Sequence, residues 1–133
     1  MLIWVLVAIM VCVMLYTAWN YFRVRRAATF LDNPSFEEKI HTGQLIDIRE
    51  PSSFQTKHIL GARNLPASQL KNSLSAIRKD KPVLIYDSTR SQSLPRTIIM
   101  LKKAGYQDLY VLKDGLDYWN GKIKEKSNRK TLV

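Results

Sequence analysis

The first 22 residues carry no charged side chain, and this run constrains the chain more than any other feature of its sequence. As an α-helix at 1.5 Å per residue it would extend about 33 Å, which matches a bilayer core of about 30 Å. A buried core helix is rarely this long without a polar position. A cleaved signal peptide would need a basic start and a small-residue cleavage site, and neither occurs here. We therefore expect residues 1–22 to be a transmembrane anchor.

The residues at the end of this run predict its orientation. Residues 19–22 include three aromatic side chains, which suit the interface of a bilayer, and Arg23, Arg25 and Arg26 follow directly. Positive residues next to a membrane span favour the cytoplasmic side. The sequence thus predicts a single-pass protein of the cell membrane, with its N terminus outside and its C-terminal domain in the cytoplasm.

The net charge of +10 is concentrated at both ends of the part that follows the apolar run. Nucleic acid is one partner for such a charge, but no basic stripe with interleaved aromatic residues occurs, so we expect none. Arginines beside a membrane span are attracted to anionic lipid, which makes the lipid bilayer the expected partner. The basic C-terminal tail, residues 122–133, is predicted to be a solvated, frayed terminus, with partner docking as the alternative.

Strand and helix patterns alternate after a basic juxtamembrane connector, residues 23–32. Helical patterns begin at Asn33 as a cap with Pro34 in the first turn, and at Pro51. Two longer helices are predicted over residues 66–77 and 94–103, and a short last one ends near residue 121. Strands are predicted over residues 44–48, 62–65, 83–86 and 109–112. This order predicts an α/β domain over residues 33–121, with a parallel sheet covered by helices on both faces.

Ligand sites of open parallel sheets lie beyond the carboxyl ends of the strands. The loop after residues 83–86 leads from the most apolar strand into a helix, so its N–H groups could form an anion-binding concavity. The predicted substrate- or anion-binding loop consists of Asp87, Ser88, Thr89, Arg90, Ser91, Gln92 and Ser93.

Five blocks of sequence resemble the rhodanese-like family in order and spacing. They are residues 45–51 (LIDIREP), 57–62 (KHILGA), 81–86 (KPVLIY), 101–106 (LKKAGY) and 111–116 (VLKDGL), followed by Trp119. The resemblance covers nearly all of the chain after the apolar run, and it implies the rhodanese-like α/β fold.

The resemblance fails at the loop that carries the family's chemistry. It implies a cysteine directly after residue 86, in a loop of the form C-x-x-G-x-R-S. This sequence has Asp87 in place of the cysteine, Arg90 in place of the glycine and Gln92 in place of the arginine, while Ser93 is kept. Sulfur transfer needs a nucleophile that can hold a persulfide, and a carboxylate cannot. The one cysteine, Cys12, lies in the apolar run, so we expect the loop to be vestigial.

Asp87 has two other possible roles. As a nucleophile of the aspartyl-phosphate kind it would need a metal held by further acids, yet Asp87-Ser88-Thr89 lacks a second acid two residues on. As a structural cap, Asp87 or Ser88 would accept N–H groups of the loop or of the next helix, and Arg90 would pair with Asp87. We expect the capping role, with no metal and no cofactor.

Further residues are expected to support the loop. Asp47 and Arg49 match the D-x-R element of the family and lie on one strand face, which predicts an ion pair. His58 lacks acidic or cysteine neighbours, so a structural hydrogen bond is expected rather than a metal. Tyr118 and Trp119 are predicted to be packing residues.

The sequence favours a membrane-tethered, catalytically inactive rhodanese-like module that binds a protein partner or a small anion at the cytoplasmic membrane face. The alternative is transferase or hydrolase activity that uses Asp87. Loop geometry distinguishes the two: an open cradle of N–H groups with Asp87 exposed favours chemistry, and a collapsed loop capped by Asp87 favours a binding scaffold.

Overall fold

The structure is a computed structural model that describes residues 1–89 and 91–125. Its helices are α1 (Leu2–Ala27), α2 (Asn33–Ile40), α3 (Pro51–Thr56) and α4 (Ser93–Lys103). Its strands are β1 (Thr29–Leu31), β2 (Gln44–Asp47), β3 (Lys57–Ile59), β4 (Arg63–Asn64), β5 (Val83–Tyr86), β6 (Leu109–Leu112) and β7 (Ile123–Glu125). Short 3-10 turns occupy Leu70–Asn72, Leu74–Ala76 and Leu116–Tyr118.

The described strands form a five-stranded parallel sheet in the order β1-β6-β5-β2-β4, and a separate antiparallel pair, β3 with β7. Helices and turns cover both faces of the parallel sheet. One face packs against the end of α1 and against α4. The other packs against Phe36 of α2 and against Trp119. The predicted fold class is therefore confirmed.

Strand β5 is the centre of this core because both of its faces are buried. Val83 and Ile85 belong to the core on the α4 side, and Leu84 and Tyr86 belong to the core on the other side. All four side chains are at most 1% exposed. Alternate residues of a strand point to opposite faces, so a continuous apolar run is what a doubly covered strand requires.

Helix α1 is long and apolar enough to cross a membrane, and no residue of the 18-residue window that meets this test is buried. The end of α1 is different, because Val24 and Ala27 are buried in the core of the domain. The segment assigned to a connector, residues 23–32, is thus the last turns of α1 followed by β1. The sequence did not predict this continuation of the helix, because Arg23, Arg25 and Arg26 end the uncharged run.

The chain reverses direction after α1. Ala28 is extended, and β1 then runs back along α1, so that the Arg25 guanidinium lies 4.7 Å from the centroid of the Phe30 ring. The other sheet strands are parallel to β1, so the carboxyl ends of all five point toward the N-terminal part of α1. Lys113, directly after β6, accordingly shares a cavity with Tyr16 and Asn20 of α1.

Strand β7 corrects the prediction of a frayed basic tail. Residues 123–125 pair with β3, and Ile123 packs against the core beneath Phe36 and Trp119. Packing of Ile123 and pairing with β3 stabilise this strand although lysines flank Ile123, because the lysine side chains remain in solvent on the other face. Residues 126–133 lie outside the described residues.

Four smaller expectations are also corrected. Asp32, not Asn33, caps α2, and its carboxylate accepts the Ser35 N–H at 3.1 Å. The helix predicted over residues 66–77 is two 3-10 turns: its buried positions 66, 70 and 77 have the spacing of one helical face, but only these three of its residues are buried, so little packing supports a full helix. The last helix is also a 3-10 turn, and Tyr118 is 66% exposed rather than packed.

Truncating the centre of β5 tests this description of the core. We expect Leu84→Ala to lower the free energy of unfolding by about 2–5 kcal/mol, because it leaves a cavity where a fully buried side chain stood. Leu60→Ala, at a side chain that is 51% exposed, is the matched control and should change it by less than about 0.5 kcal/mol. Urea unfolding of the full chain in neutral-detergent micelles, followed by near-ultraviolet circular dichroism, measures both; equal losses would contradict the assignment.

Candidate functional site

Asp87 follows the last residue of β5 and is only 7% exposed. Its carboxylate accepts the N–H of Ser88 at 2.6 Å and, through its other oxygen, the hydroxyl of Ser91. A buried carboxylate is costly unless hydrogen bonds replace its water, and these two donors supply that replacement. The loop therefore closes over Asp87 instead of exposing it.

Ser91 connects the buried carboxylate to helix α4. Its hydroxyl donates to Asp87 and accepts the N–H groups of Ser93 and Leu94, both at 3.2 Å. The first N–H groups of a helix lack partners within the helix, and they are the donors that would otherwise be free to hold an anion. The predicted capping of this loop is present, with Ser91 as the residue that reaches the helix.

The loop after β6 holds the other side of the site. The Leu116 N–H donates to the Asp87 carbonyl at 3.0 Å, and the Thr89 hydroxyl donates to the Asp114 carbonyl at 2.8 Å. Gly115 has φ of +79°, and a Cβ there would lie 2.7 Å from the Thr89 backbone nitrogen. Any other residue at position 115 would therefore push residues 88 and 89 away.

Asp47 and Arg49 form the ion pair that the sequence predicts. Asp47 is fully buried, and the Arg49 Nη2 lies 2.7 Å from its Oδ2, with the Arg49 backbone N–H 2.9 Å from Oδ1. The same guanidinium donates to the Lys57 carbonyl of β3. Burial lowers the pKa of Arg49, but the hydrogen bonds and the charge of Asp47 together outweigh it and leave that pKa raised. The pair links β2 to β3.

Tyr86, at the end of β5, belongs to the same network. Its hydroxyl oxygen accepts the N–H of Ile59 at 3.0 Å. Burial, and next the nearby Asp47 carboxylate, raise the pKa of Tyr86 far above that of a free tyrosine. The phenol thus stays neutral and holds β3 against the sheet. Tyr86 immediately precedes Asp87 in the sequence.

His58 has the structural hydrogen bond expected of it. Its Nδ1 lies 2.7 Å from the Phe54 carbonyl oxygen, and its ring stacks on the Phe54 ring with centroids 3.8 Å apart. These contacts hold β3 against α3. His58 thus supports α3 and β3, the segment whose Lys57 carbonyl accepts from Arg49, rather than the 87–93 loop itself.

A cleft of about 600 Å³ opens in front of the loop. Among the described residues it brings together five of the loop positions with Arg49; these are Asp87, Ser88, Ser91, Gln92 and Ser93. Thr89 faces a smaller cavity on the other side of the loop, next to Asp114 and Tyr118. Arg90, with its predicted pairing to Asp87, lies outside the described residues.

Sequence reasoning missed several residues of this site. Arg96 and Met100 line the cleft, and so do Glu50 and Ser53 from the opposite wall. The spacing of Gln92, Arg96 and Met100 is four residues, so they share one helix face, and this signal could have found them. Gly115 had no such signal, because its role depends on a contact between two distant loops.

The family model for the rhodanese-like domain matches residues 32–122. This span is more than half of the chain, so the chain belongs to the rhodanese-like family.

Relatives of known sequence agree with this assignment. The chain is 43% identical over 114 residues to the uncharacterized protein YqhL of Bacillus subtilis (strain 168), which covers 84% of this chain and 88% of YqhL. It is 35% identical over 80 residues to the uncharacterized protein YibN of Escherichia coli (strain K12), of whose length it spans 55%. It is 33% identical over 98 residues to the thiosulfate sulfurtransferase GlpE of Tolumonas auensis, covering 72% of this chain and 83% of GlpE.

Solved structures share the fold. The rhodanese-like domain of the Alr3790 protein from Anabaena sp. superposes with a TM-score of 0.66 at 20% identity, over 78% of this chain and 84% of that one. The BH2092 protein from Bacillus halodurans gives a TM-score of 0.66 at 16% identity, over 88% of this chain and 96% of that one.

The hydroxyl of Ser91 is expected to stabilise the closed loop. Ser91→Ala removes a donor from the buried Asp87 and the acceptor of two helix N–H groups, and should cost about 1–3 kcal/mol of unfolding free energy. Ser93→Ala is the matched control: this side chain is exposed, and among the described residues it donates no hydrogen bond. Thermal and urea unfolding in micelles compare the two, and equal stability of the variants would rule out the Ser91 link.

Proposed function

We propose that this chain is a catalytically inactive rhodanese-like module, tethered by α1 to the cytoplasmic face of the cell membrane, that binds a partner at the cleft beside the 87–93 loop. The single observation that carries the proposal is the closed state of Asp87. Its carboxylate is buried and is bonded to Ser88 and Ser91, in the position where the family resemblance implies an accessible cysteine.

Sulfur transfer requires chemistry that this loop lacks. The relatives named thiosulfate sulfurtransferase belong to the same family, yet an aspartate cannot accept sulfane sulfur and hold it as a persulfide. The sole cysteine of the sequence, Cys12, lies within α1 and cannot reach a substrate at the cleft.

The geometry also disfavours Asp87 as a nucleophile. A carboxylate that attacks a substrate needs an exposed oxygen with a free line of approach. Here each of the two oxygens already accepts a hydrogen bond from within the loop. Of the two alternatives that the sequence leaves open, the collapsed loop favours the binding scaffold.

The charges and donors of the cleft support a protein as the bound partner. The N–H groups of Ser88, Ser93 and Leu94, which could have held a small anion, are already bonded to Asp87 or Ser91. The buried Asp87 charge opposes a second anion beside it. The remaining exposed lining offers both charges and an amide, from Arg96, Glu50 and Gln92. Such a mixed polar surface suits a segment of a protein partner better than a small anion.

The membrane tether rests on α1 and its flanks. The helix has the length and hydropathy of a membrane span, and three arginines follow its uncharged part. Positive residues on this side favour retention of the domain in the cytoplasm. Because Val24 and Ala27 pack into the core, the tether would continue into the domain without a flexible linker.

Restoring the loop tests the proposed loss of catalysis. We compare the full chain with Asp87→Cys/Arg90→Gly/Gln92→Arg in a thiosulfate:cyanide sulfurtransferase assay, both carrying Cys12→Ser. The unaltered loop should give only the background rate, and the restored loop should turn over, because the scaffold would again present a thiolate at the end of β5.

A matched control has Asp87→Ser with the same Arg90→Gly and Gln92→Arg changes. It reproduces the loop without a thiolate and should remain at background. Turnover by the chain with its native loop, at a rate similar to that of the restored variant, would disprove the proposed inactivity.

A further inference from the structure

A second cavity lies away from the cleft, between α1 and the domain. It has a volume of about 410 Å³. One wall is α1 itself, from Tyr16 to Arg25, and the opposite wall consists of Phe30, Pro95 and Lys113. The proposed function does not use this cavity, which joins the uncharged part of α1 to the carboxyl edge of the sheet.

The lining of this cavity is amphipathic. Its apolar and aromatic surface comes from Tyr16, Val24 and Phe30, whereas Arg25 and Lys113 contribute two positive charges. The Arg25 Nε donates to the Tyr21 hydroxyl at 3.1 Å, which fixes the side chain against α1 and leaves its terminal nitrogens for another acceptor. Two cations above an apolar wall match a ligand that has an anionic head and an apolar tail.

Both cations lack an acidic partner among residues 1–89 and 91–125, where the ion pairs are Arg49 with Asp47 and Arg78 with Asp80. Asp32 is close enough to Lys113 to feel its charge, but its carboxylate accepts the N–H of Ser35. Asp32 therefore offsets the charge of Lys113 only in part and forms no ion pair with it, so the cavity keeps a net positive charge within the described part of the chain.

The position of the cavity favours a lipid headgroup as the source of the anion. Residues 16–21 belong to the uncharged run that would lie in the bilayer, and Arg25 lies about one helical turn beyond it. The cavity would thus span the boundary between hydrocarbon and headgroups. Tyr118, which is 66% exposed, lies next to Lys113 at the same edge of the domain and suits that interface.

We propose that this cavity binds an anionic phospholipid, with its phosphate between Arg25 and Lys113 and its glycerol and acyl part along Tyr16 and Val24. The inference rests on the membrane insertion of α1 proposed above. A lipid bound there would hold the carboxyl edge of the sheet, and with it the 87–93 loop, against the membrane surface. The partner of the cleft would then be reached along the membrane.

The test is a thermal-unfolding titration of the full chain in neutral-detergent micelles. Phosphatidylglycerol should raise the melting temperature saturably, while phosphatidylcholine and inorganic phosphate should not. Arg25→Gln/Lys113→Gln should need roughly tenfold more phosphatidylglycerol or more for half of the effect, because each interfacial cation contributes on the order of 1 kcal/mol.

Lys71→Gln/Lys81→Gln is the matched control, since it removes the same charge from two exposed residues that do not line the cavity. It should respond to phosphatidylglycerol as the unaltered chain does. Lys113→Gln alone changes an exposed side chain and leaves the contacts of α1 intact, so its weakened response provides a second measure if the double variant does not fold.

The proposal is overturned if Lys113→Gln responds like the unaltered chain, or if phosphatidylcholine or inorganic phosphate reproduces the phosphatidylglycerol effect. Extraction of membranes with alkaline carbonate separates this failure from failure of the tether. A chain that resists extraction but does not depend on Lys113 lacks the lipid site alone. A chain released by carbonate lacks the tether, and the lipid site fails with it.

Discussion

A carboxylate buried at the end of the central strand must find hydrogen-bond donors, and the shape of the whole site depends on how this chain meets that requirement. Leaving such a charge without partners would cost several kcal/mol, a large share of the stability of a small domain. The donors nearest to Asp87 are the N–H of Ser88 and the hydroxyl of Ser91. When Asp87 uses these donors, the loop folds inward, and the Ser91 hydroxyl also accepts the first N–H groups of α4.

Asp87 would thus account for the proposed loss of chemistry without disturbing the fold. A thiolate at this position would need an accessible sulfur and free N–H groups around it. A buried aspartate uses those groups as structural bonds. The rest of the scaffold is kept, because the Asp47–Arg49 pair, the Tyr86 hydroxyl and Gly115 fix the neighbouring loops independently of residue 87.

The continuity of α1 with the core gives the domain a defined relation to the proposed membrane. A flexible linker would let the domain rotate freely. Here Val24 and Ala27 are core residues, and β1 turns back along α1 at once. The carboxyl edge of the sheet, which carries the candidate site, would therefore face the lipid surface.

Much of this could be predicted from the sequence. The apolar β5 run, the Asp47–Arg49 spacing and the apolar N-terminal helix each carry a local signal that tertiary contacts do not override. Strands β1 and β7 could not be found in this way, because both are short, lie beside basic residues and gain their stability only from a distant partner strand. The roles of Gly115 and Ser91 likewise depend on contacts that local patterns do not contain.

The most direct measurement is a thiosulfate titration of the ¹⁵N-labelled full chain in micelles, read at the amide resonances of Ser88, Ser93 and Leu94. Because Asp87 and Ser91 already hold these N–H groups, we expect no saturable change in their chemical shifts. Saturable shifts at these three amides would show that the loop is an open anion cradle, and would contradict the closure of the site by Asp87.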